Sequence, residues 1–326
     1  MLAAAQVGEG QSKRMTPEIA VRTKGRTNAA IQPRGWLAVC DDHAARLVDH
    51  SANFTDLFPA RADGFFGLAL RDLVGSATAH LLRNGLSRAG EAPRPILAPR
   101  QPIVGLPGLY DFAVHAAGEL TVIEFETAAE ADPFALDRLR ALIDRLTTAR
   151  GLNRLTTMAA RLIQAMLQWD CVTILRLDPG GPRVLAQQKR LTWPDAAANA
   201  HLCADLPEKA LADLRAARLR FVADVAAAPV ALAGDSRPDL GMAFLRAASQ
   251  DEVFRARAAG FAAFLELPIR VEGELWGVLL AHDRAARKMT IDERAVFDLF
   301  GDYFSLAVQA ELAREAADEF RRRHAL

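Results

Sequence analysis

The stretch Tyr110-Asp-Phe-Ala-Val-His-Ala-Ala-Gly-Glu-Leu-Thr-Val-Ile-Glu-Phe-Glu126 decides how this chain is read. Two runs rich in β-branched and aromatic residues, Tyr110 to His115 and Leu120 to Phe125, flank Ala-Ala-Gly-Glu, where Gly118 supplies the backbone freedom of a tight turn. The segment predicts an antiparallel hairpin with a four-residue turn. Upstream, Trp36-Leu-Ala-Val-Cys40 and Arg46-Leu-Val-Asp-His50 read as strands around an Asp-Asp turn, and Phe65 to Leu86 carries helical spacing. An α+β unit therefore surrounds the hairpin.

Downstream, Leu136, Leu139, Leu142, Ile143 and Leu146 recur at helical spacing, and after Gly151 the pattern resumes with Leu155, Met158, Leu162, Ile163 and Met166. This predicts a long helix joining two domains. Two further hairpins follow: Val172 to Leu177 turns through Asp178-Pro-Gly-Gly-Pro182 into Arg183 to Gln188, and Phe264 to Val271 turns through Glu272-Gly-Glu into Leu275 to His282. Helices near 206–216 and 251–259 interleave with these strands. A last helix starts near Thr290, with Glu293 completing a capping box. Residues 1–25 are polar, basic and aperiodic, so we expect a flexible arm there, a first domain over 26–130 and a second over 131–326.

Composition narrows the function classes. The chain has 326 residues, 51% hydrophobic and 25% charged, with Lys+Arg and Asp+Glu both at 40. No global field draws it to nucleic acid or anionic lipid. Its apolar stretches are too short or interrupted to cross a bilayer, and no signal-peptide core is present, so a cytoplasmic location is expected. Cys40, Cys171 and Cys203 are too few for a disulfide framework, and no pair of His residues has zinc-helix spacing. Phosphate-loop, dinucleotide and nucleophile-elbow signatures are absent, so no enzyme is expected.

Taken in order, several blocks resemble the PAS and GAF domains of bacteriophytochromes. Ala30-Ile-Gln-Pro-Arg-Gly35 looks like the I-Q-P-H-G entrance to the PAS domain, and Gly118 to Glu126 is similar to the strand G-E-L-L-I-L-E-F-E. Asp205-Leu-Pro207, Arg220-Phe-Val-Ala-Asp-Val225 with Pro229-Val230, Leu245-Arg-Ala-Ala-Ser249 and Gly273-Glu-Leu-Trp-Gly277 with His282 match further blocks. The resemblance implies an α+β fold: a PAS and a GAF domain, each a central antiparallel sheet flanked by helices, with a long C-terminal helix. It also implies a figure-of-eight knot, in which the N-terminal segment passes through a lasso at about Asp224 to Phe244.

In that family the GAF pocket holds biliverdin, bound as a thioether to a cysteine upstream of the PAS domain, and signals through helices. Here the family spacing puts the attachment position near Ala20, and no cysteine precedes Cys40. Asp251 and Glu252 stand where other phytochromes carry a cysteine and a pocket histidine, and the aromatic lining falls on Leu175, Leu214 and Arg255. A carboxylate at Glu252, lacking a bilin cation, is expected either to rise in pKa or to face water. Arg220 and Arg246 match propionate-binding positions, Asp205 and His282 persist, and Cys203 offers a second thiol near the pocket. Asp205, Arg220, Arg246, Glu252 and His282 thus form the candidate, degenerate bilin pocket.

The expectation is a phytochrome-related signalling module without covalent bilin or a red/far-red photocycle. The alternative is a non-covalent binder of biliverdin, haem or another planar ligand. A homodimer through the C-terminal and interdomain helices is expected, with Phe304 and Val308 in its interface, together with a signalling partner in trans.

Overall fold

The computed structural model describes residues 29–41, 44–59, 64–88, 94–190 and 208–324. The strands in chain order are β1 (Ala30–Ile31), β2 (Trp36–Cys40), β3 (Leu47–His50), β4 (Ile96–Gln101), β5 (Tyr110–Ala117), β6 (Leu120–Thr127), β7 (Cys171–Asp178), β8 (Gly181–Lys189), β9 (Arg220–Val222), β10 (Val230–Ala231), β11 (Ala263–Val271) and β12 (Glu274–Asp283). They form two five-stranded antiparallel sheets, β3-β2-β6-β5-β4 and β8-β7-β12-β11-β9, and one small pair, β1-β10.

The hairpin over 110–126 is β5-β6, but Ala117 pairs with Leu120, so its turn has two residues, not four. Gly118 at φ +66° starts that turn, and the ladder absorbs Ala116 and Ala117 because a two-residue connection matches the twist of paired strands. In β11-β12 the two turn residues, Glu272 and Gly273, both have positive φ, +54° and +84°. The predicted helix over 65–86 is two helices, Leu70–Val74 and Ser76–Arg88, divided at Gly75. Likewise the connecting helix is two, Ala135–Leu146 and Leu152–Leu167, broken at Gly151 with φ +82°.

Side-chain alternation gives the second sheet two different faces. Val172, Ile174, Phe221, Leu265, Leu267, Ile269, Leu279 and Ala281 turn toward the connecting helices and the C-terminal helix Ile291–His324, where Phe297, Phe300, Phe304 and Val308 complete the largest core. Gly301 permits this packing: a Cβ there would lie 2.9 Å from Leu267 Cδ1. Thr290 and Glu293 cap the helix reciprocally, at 2.7 and 3.2 Å. Phe304 and Val308 are therefore interior residues, and the expectation that they meet a second subunit is corrected. Their stripe covers the chain's own sheet.

The N-terminal segment is clasped from both sides by the loop after β9. Ile31 pairs with Val230 on one side and bridges Arg246 on the other. Gln32 Nε2 donates to the carbonyls of Phe221 (2.8 Å), Phe244 (3.2 Å) and Arg246 (3.2 Å), while its Oε1 accepts from Ala223 N at 2.9 Å. Both arms of the loop thus touch the segment, as the figure-of-eight arrangement requires. The loop also docks on the first sheet through two buried carboxylates. Asp49 accepts from Gly234 N, Ser236 N and Ser236 Oγ, and Glu124 accepts from Phe244 N and Leu245 N.

Candidate functional site

The other face of the second sheet carries the candidate site. Arg220 and Val222 of β9, Phe264 and Glu266 of β11, Val278, Leu280 and His282 of β12, and Cys171, Thr173 and Leu175 of β7 alternate onto it. Helices Glu208–Ala216 and Gln250–Ala259 supply Leu214 and Glu252. Asp205 and Cys203 lie outside the described residues, as does Ala20.

Arg220 sits at the centre, 2% exposed. Its Nε and Nη2 each donate to a Glu252 oxygen at 3.3 Å, Nη1 donates to Arg246 O at 2.6 Å, and Nη2 also donates to Ala247 O at 2.9 Å. The guanidinium is therefore engaged within the chain. Glu252 arrives there because Ser249 caps its helix: Ser249 Oγ accepts from Glu252 N, and Ser249 N donates back to Glu252 Oε2 at 2.6 Å. Burial would raise the Glu252 carboxyl, but the Arg220 charge and the Ser249 N–H outweigh it and hold it down at about 2. The expectation that Glu252 must rise in pKa or face water is corrected. Arg220 provides the missing cation.

Around this pair the charges alternate. Arg246 Nη1 bridges to Asp213 at 3.1 Å. Glu266 is pushed up to about 7 by burial and then by the Glu252 charge, against the pull of Arg220, Arg255 and Arg246. Two nitrogens of this group, Arg246 Nε and Arg255 Nε, are buried without an acceptor. Sequence reasoning singled out Arg255 but missed Glu266. The signal was the lone charge inside Phe264-Leu-Glu-Leu-Pro-Ile269.

Apart from Thr173 and His282, the rest of the face is apolar. Leu175 and Leu214 pack together with Val278 and Leu280, so two positions of the eroded aromatic lining form one closed cluster. His282 is buried, its ring 4.3 Å from that of Phe261. The structure thus brings Arg220, Arg246 and Glu252 together and sets His282 at the far end of β12. Among the described residues no group of three His, Cys, Asp or Glu side chains could hold a metal ion, and no helix is long and apolar enough to cross a membrane.

Comparison with known proteins agrees with this architecture. The PAS fold profile matches residues 21–128 and the GAF domain profile residues 135–308. Phytochrome-like protein Cph1 of Synechocystis sp. is 23% identical over 94% of this chain and 42% of its own length. Cyanobacterial phytochrome A of Nostoc sp. is 20% identical over 89% of this chain and 39% of its own length. The chain thus spans about two fifths of the curated relatives it matches. Among solved structures, the chromophore-binding domain of the bacteriophytochrome RpBphP3 from R. palustris superposes with a TM-score of 0.73 at 20% identity, covering 88% of this chain and 96% of that one. With the GAF profile spanning more than half its residues and a PAS fold ahead of it, the chain belongs to the GAF-domain family and has the PAS-GAF fold of the bacteriophytochrome domain it superposes on.

Proposed function

We propose that the chain is a sensory and signal-transduction module of phytochrome descent that has lost covalent bilin attachment and red/far-red photochemistry, and that acts through a homodimer and a partner in trans. It has no catalytic role in this reading. The observation that carries it is the Arg220–Glu252 pair: the guanidinium expected to hold a propionate is bonded to a carboxylate of its own chain and to two backbone carbonyls. A propionate would have to displace Glu252, leaving that carboxylate buried and unpaired. The alanine at position 20 and the Leu175–Leu214 cluster support the same reading.

Incubation with biliverdin, followed by denaturation and zinc-induced fluorescence on a gel, is expected to show no fluorescent band at the protein's mass. A band there would overturn the loss of attachment. The non-covalent alternative has one observation in its favour, the two acceptor-free nitrogens of Arg246 and Arg255 beside Glu266. Added biliverdin or haem that acquires a shifted, saturable absorption band, lost on denaturation, would select it.

A further inference from the structure

Away from the candidate pocket, a cavity of about 270 Å³ opens where the N-terminal segment, the first sheet and the C-terminal helix meet. Arg34, Asp111, Glu126, Lys288, Thr290 and Arg294 line it. Arg294 is 4% exposed; it bonds Glu126 at 2.5 Å, donates from Nη2 to Met289 O at 2.9 Å, and lies 5.3 Å over the Phe244 ring. Arg34 takes the other Glu126 oxygen at 3.1 Å and stacks 4.9 Å over Phe221. After these contacts, Arg34 Nε, Arg34 Nη2 and Arg294 Nε remain buried without an acceptor.

Charge at the junction is out of balance in the same direction. The buried guanidinium of Arg294 and the half-buried one of Arg34 share the single carboxylate of Glu126, and Lys288 adds a third cation at the exposed rim. Burial and then the Arg294 charge pull the Arg34 guanidinium down to about 10. The neighbouring carboxylates do little to offset this. Glu124 turns both oxygens to Phe244 N and Leu245 N, and burial raises it to about 7. Asp111 accepts from Arg100 N at 2.9 Å and is also raised by burial, while Asp292 is taken by Arg100 and by Asp132 N. The first turn of the helix adds nothing, because its own capping box closes it.

We propose that this junction binds a small oxyanion of the phosphate class, held between Arg34, Arg294 and Lys288. Guanidiniums suit such a ligand because their fixed N–H forks match its oxygens, and the volume admits a phosphate with its waters or a small phosphate ester. Bound there, the anion would tie together Arg34 of the clasped segment, the sheet that carries Glu126 and the first turns of the helix that carries Arg294. The proposal stands apart from the pocket on the other face of the sheet.

Sodium phosphate titrated against sodium chloride at matched ionic strength tests it, read by calorimetry and by amide exchange over residues 31–34 and 289–295. Saturable heat with slowed exchange in both segments is expected. Lys288→Gln removes a rim charge and should weaken phosphate binding about three- to tenfold with the melting temperature in chloride unchanged. Arg34→Gln should abolish binding; if that variant fails to fold, the Lys288 variant still decides. Phosphate indistinguishable from chloride, or a Lys288 variant that binds as wild type, would overturn the site. Equal binding of acetate would overturn the phosphate assignment.

Discussion

A buried arginine such as Arg220 is tolerated only because its charge is met. Removing Glu252 alone leaves a desolvated cation, so Glu252→Gln is expected to cost about 3–5 kcal/mol in urea unfolding. The double variant Arg220→Met with Glu252→Gln should cost clearly less than the sum of the two single changes, since the pair then disappears together. Additive losses would show the two side chains to be independent. Glu252 falls from an ordinary 4.5 to about 2, so its stabilisation is present above pH 4.5 and is lost as pH falls toward 2. Glu266 has the opposite sign. Its carboxyl rises from 4.5 to about 7, so the folded state disfavours its charge, fully above pH 7 and not at all below about 4.5. Glu266→Gln should therefore be more stable than wild type by about 1–3 kcal/mol at pH 8, with the difference vanishing near pH 4.5. Equal stability at both pH values would mean that Glu266 is solvated. None of this could be read from residue types alone. The sequence flagged Glu252 as an unpaired carboxylate because its partner sits 32 residues earlier, on a strand that only the fold brings alongside.

At the scale of elements, local chemistry and long-range closure separate cleanly. Each hairpin was legible because its turn residues and flanking strands are contiguous, but all three turns are shorter than expected, two residues each, because the ladders run on into them. The break at Gly75 was missed because the apolar positions on either side keep helical spacing across it. The β1-β10 pair joins residues two hundred positions apart, and nothing in a two-residue strand announces its partner. Only the passage of the N-terminal segment through the loop was expected, and that came from the family resemblance, not from periodicity. The docking of the loop on the first sheet depends on Glu124, whose oxygens accept two N–H groups from successive residues at 3.0 and 2.7 Å. Glu124→Ala leaves both donors without a partner in the interior, at about 1–3 kcal/mol for each. The amides of Phe244 and Leu245 should then exchange at least tenfold faster, while those of the β5-β6 hairpin keep their protection. Uniform acceleration across both regions would show that Glu124 supports the whole fold and not this one tie.

Over the whole molecule, the proposed dimer turns on which part of the C-terminal helix is left uncovered. Its apolar arc was legible, but the sequence could not say which part faces inward, because 3.6-residue core stripes and 3.5-residue coiled-coil seams nearly coincide over a few turns. Phe297, Phe300, Phe304 and Val308 face inward. What remains outside is a second series, Leu299, Leu306, Ala310, Ala313, Ala317 and Phe320, all exposed and spaced by seven, four, three, four and three residues. That is the a/d rhythm of a helix pair, with alanines that allow close approach in the middle and large side chains at its ends. Leu306 and Phe320 are 66% and 62% exposed, so replacing both with glutamate touches no intrachain contact of the core. If the proposed homodimer uses this seam, the double variant should remain folded by circular dichroism and run as a monomer in light scattering. Phe304→Glu should instead unfold the second domain, since it buries a charge against the sheet. A Leu306, Phe320 double variant that stays dimeric at micromolar concentration would place the interface elsewhere, with the exposed Leu136 of the connecting helix as the next surface to test.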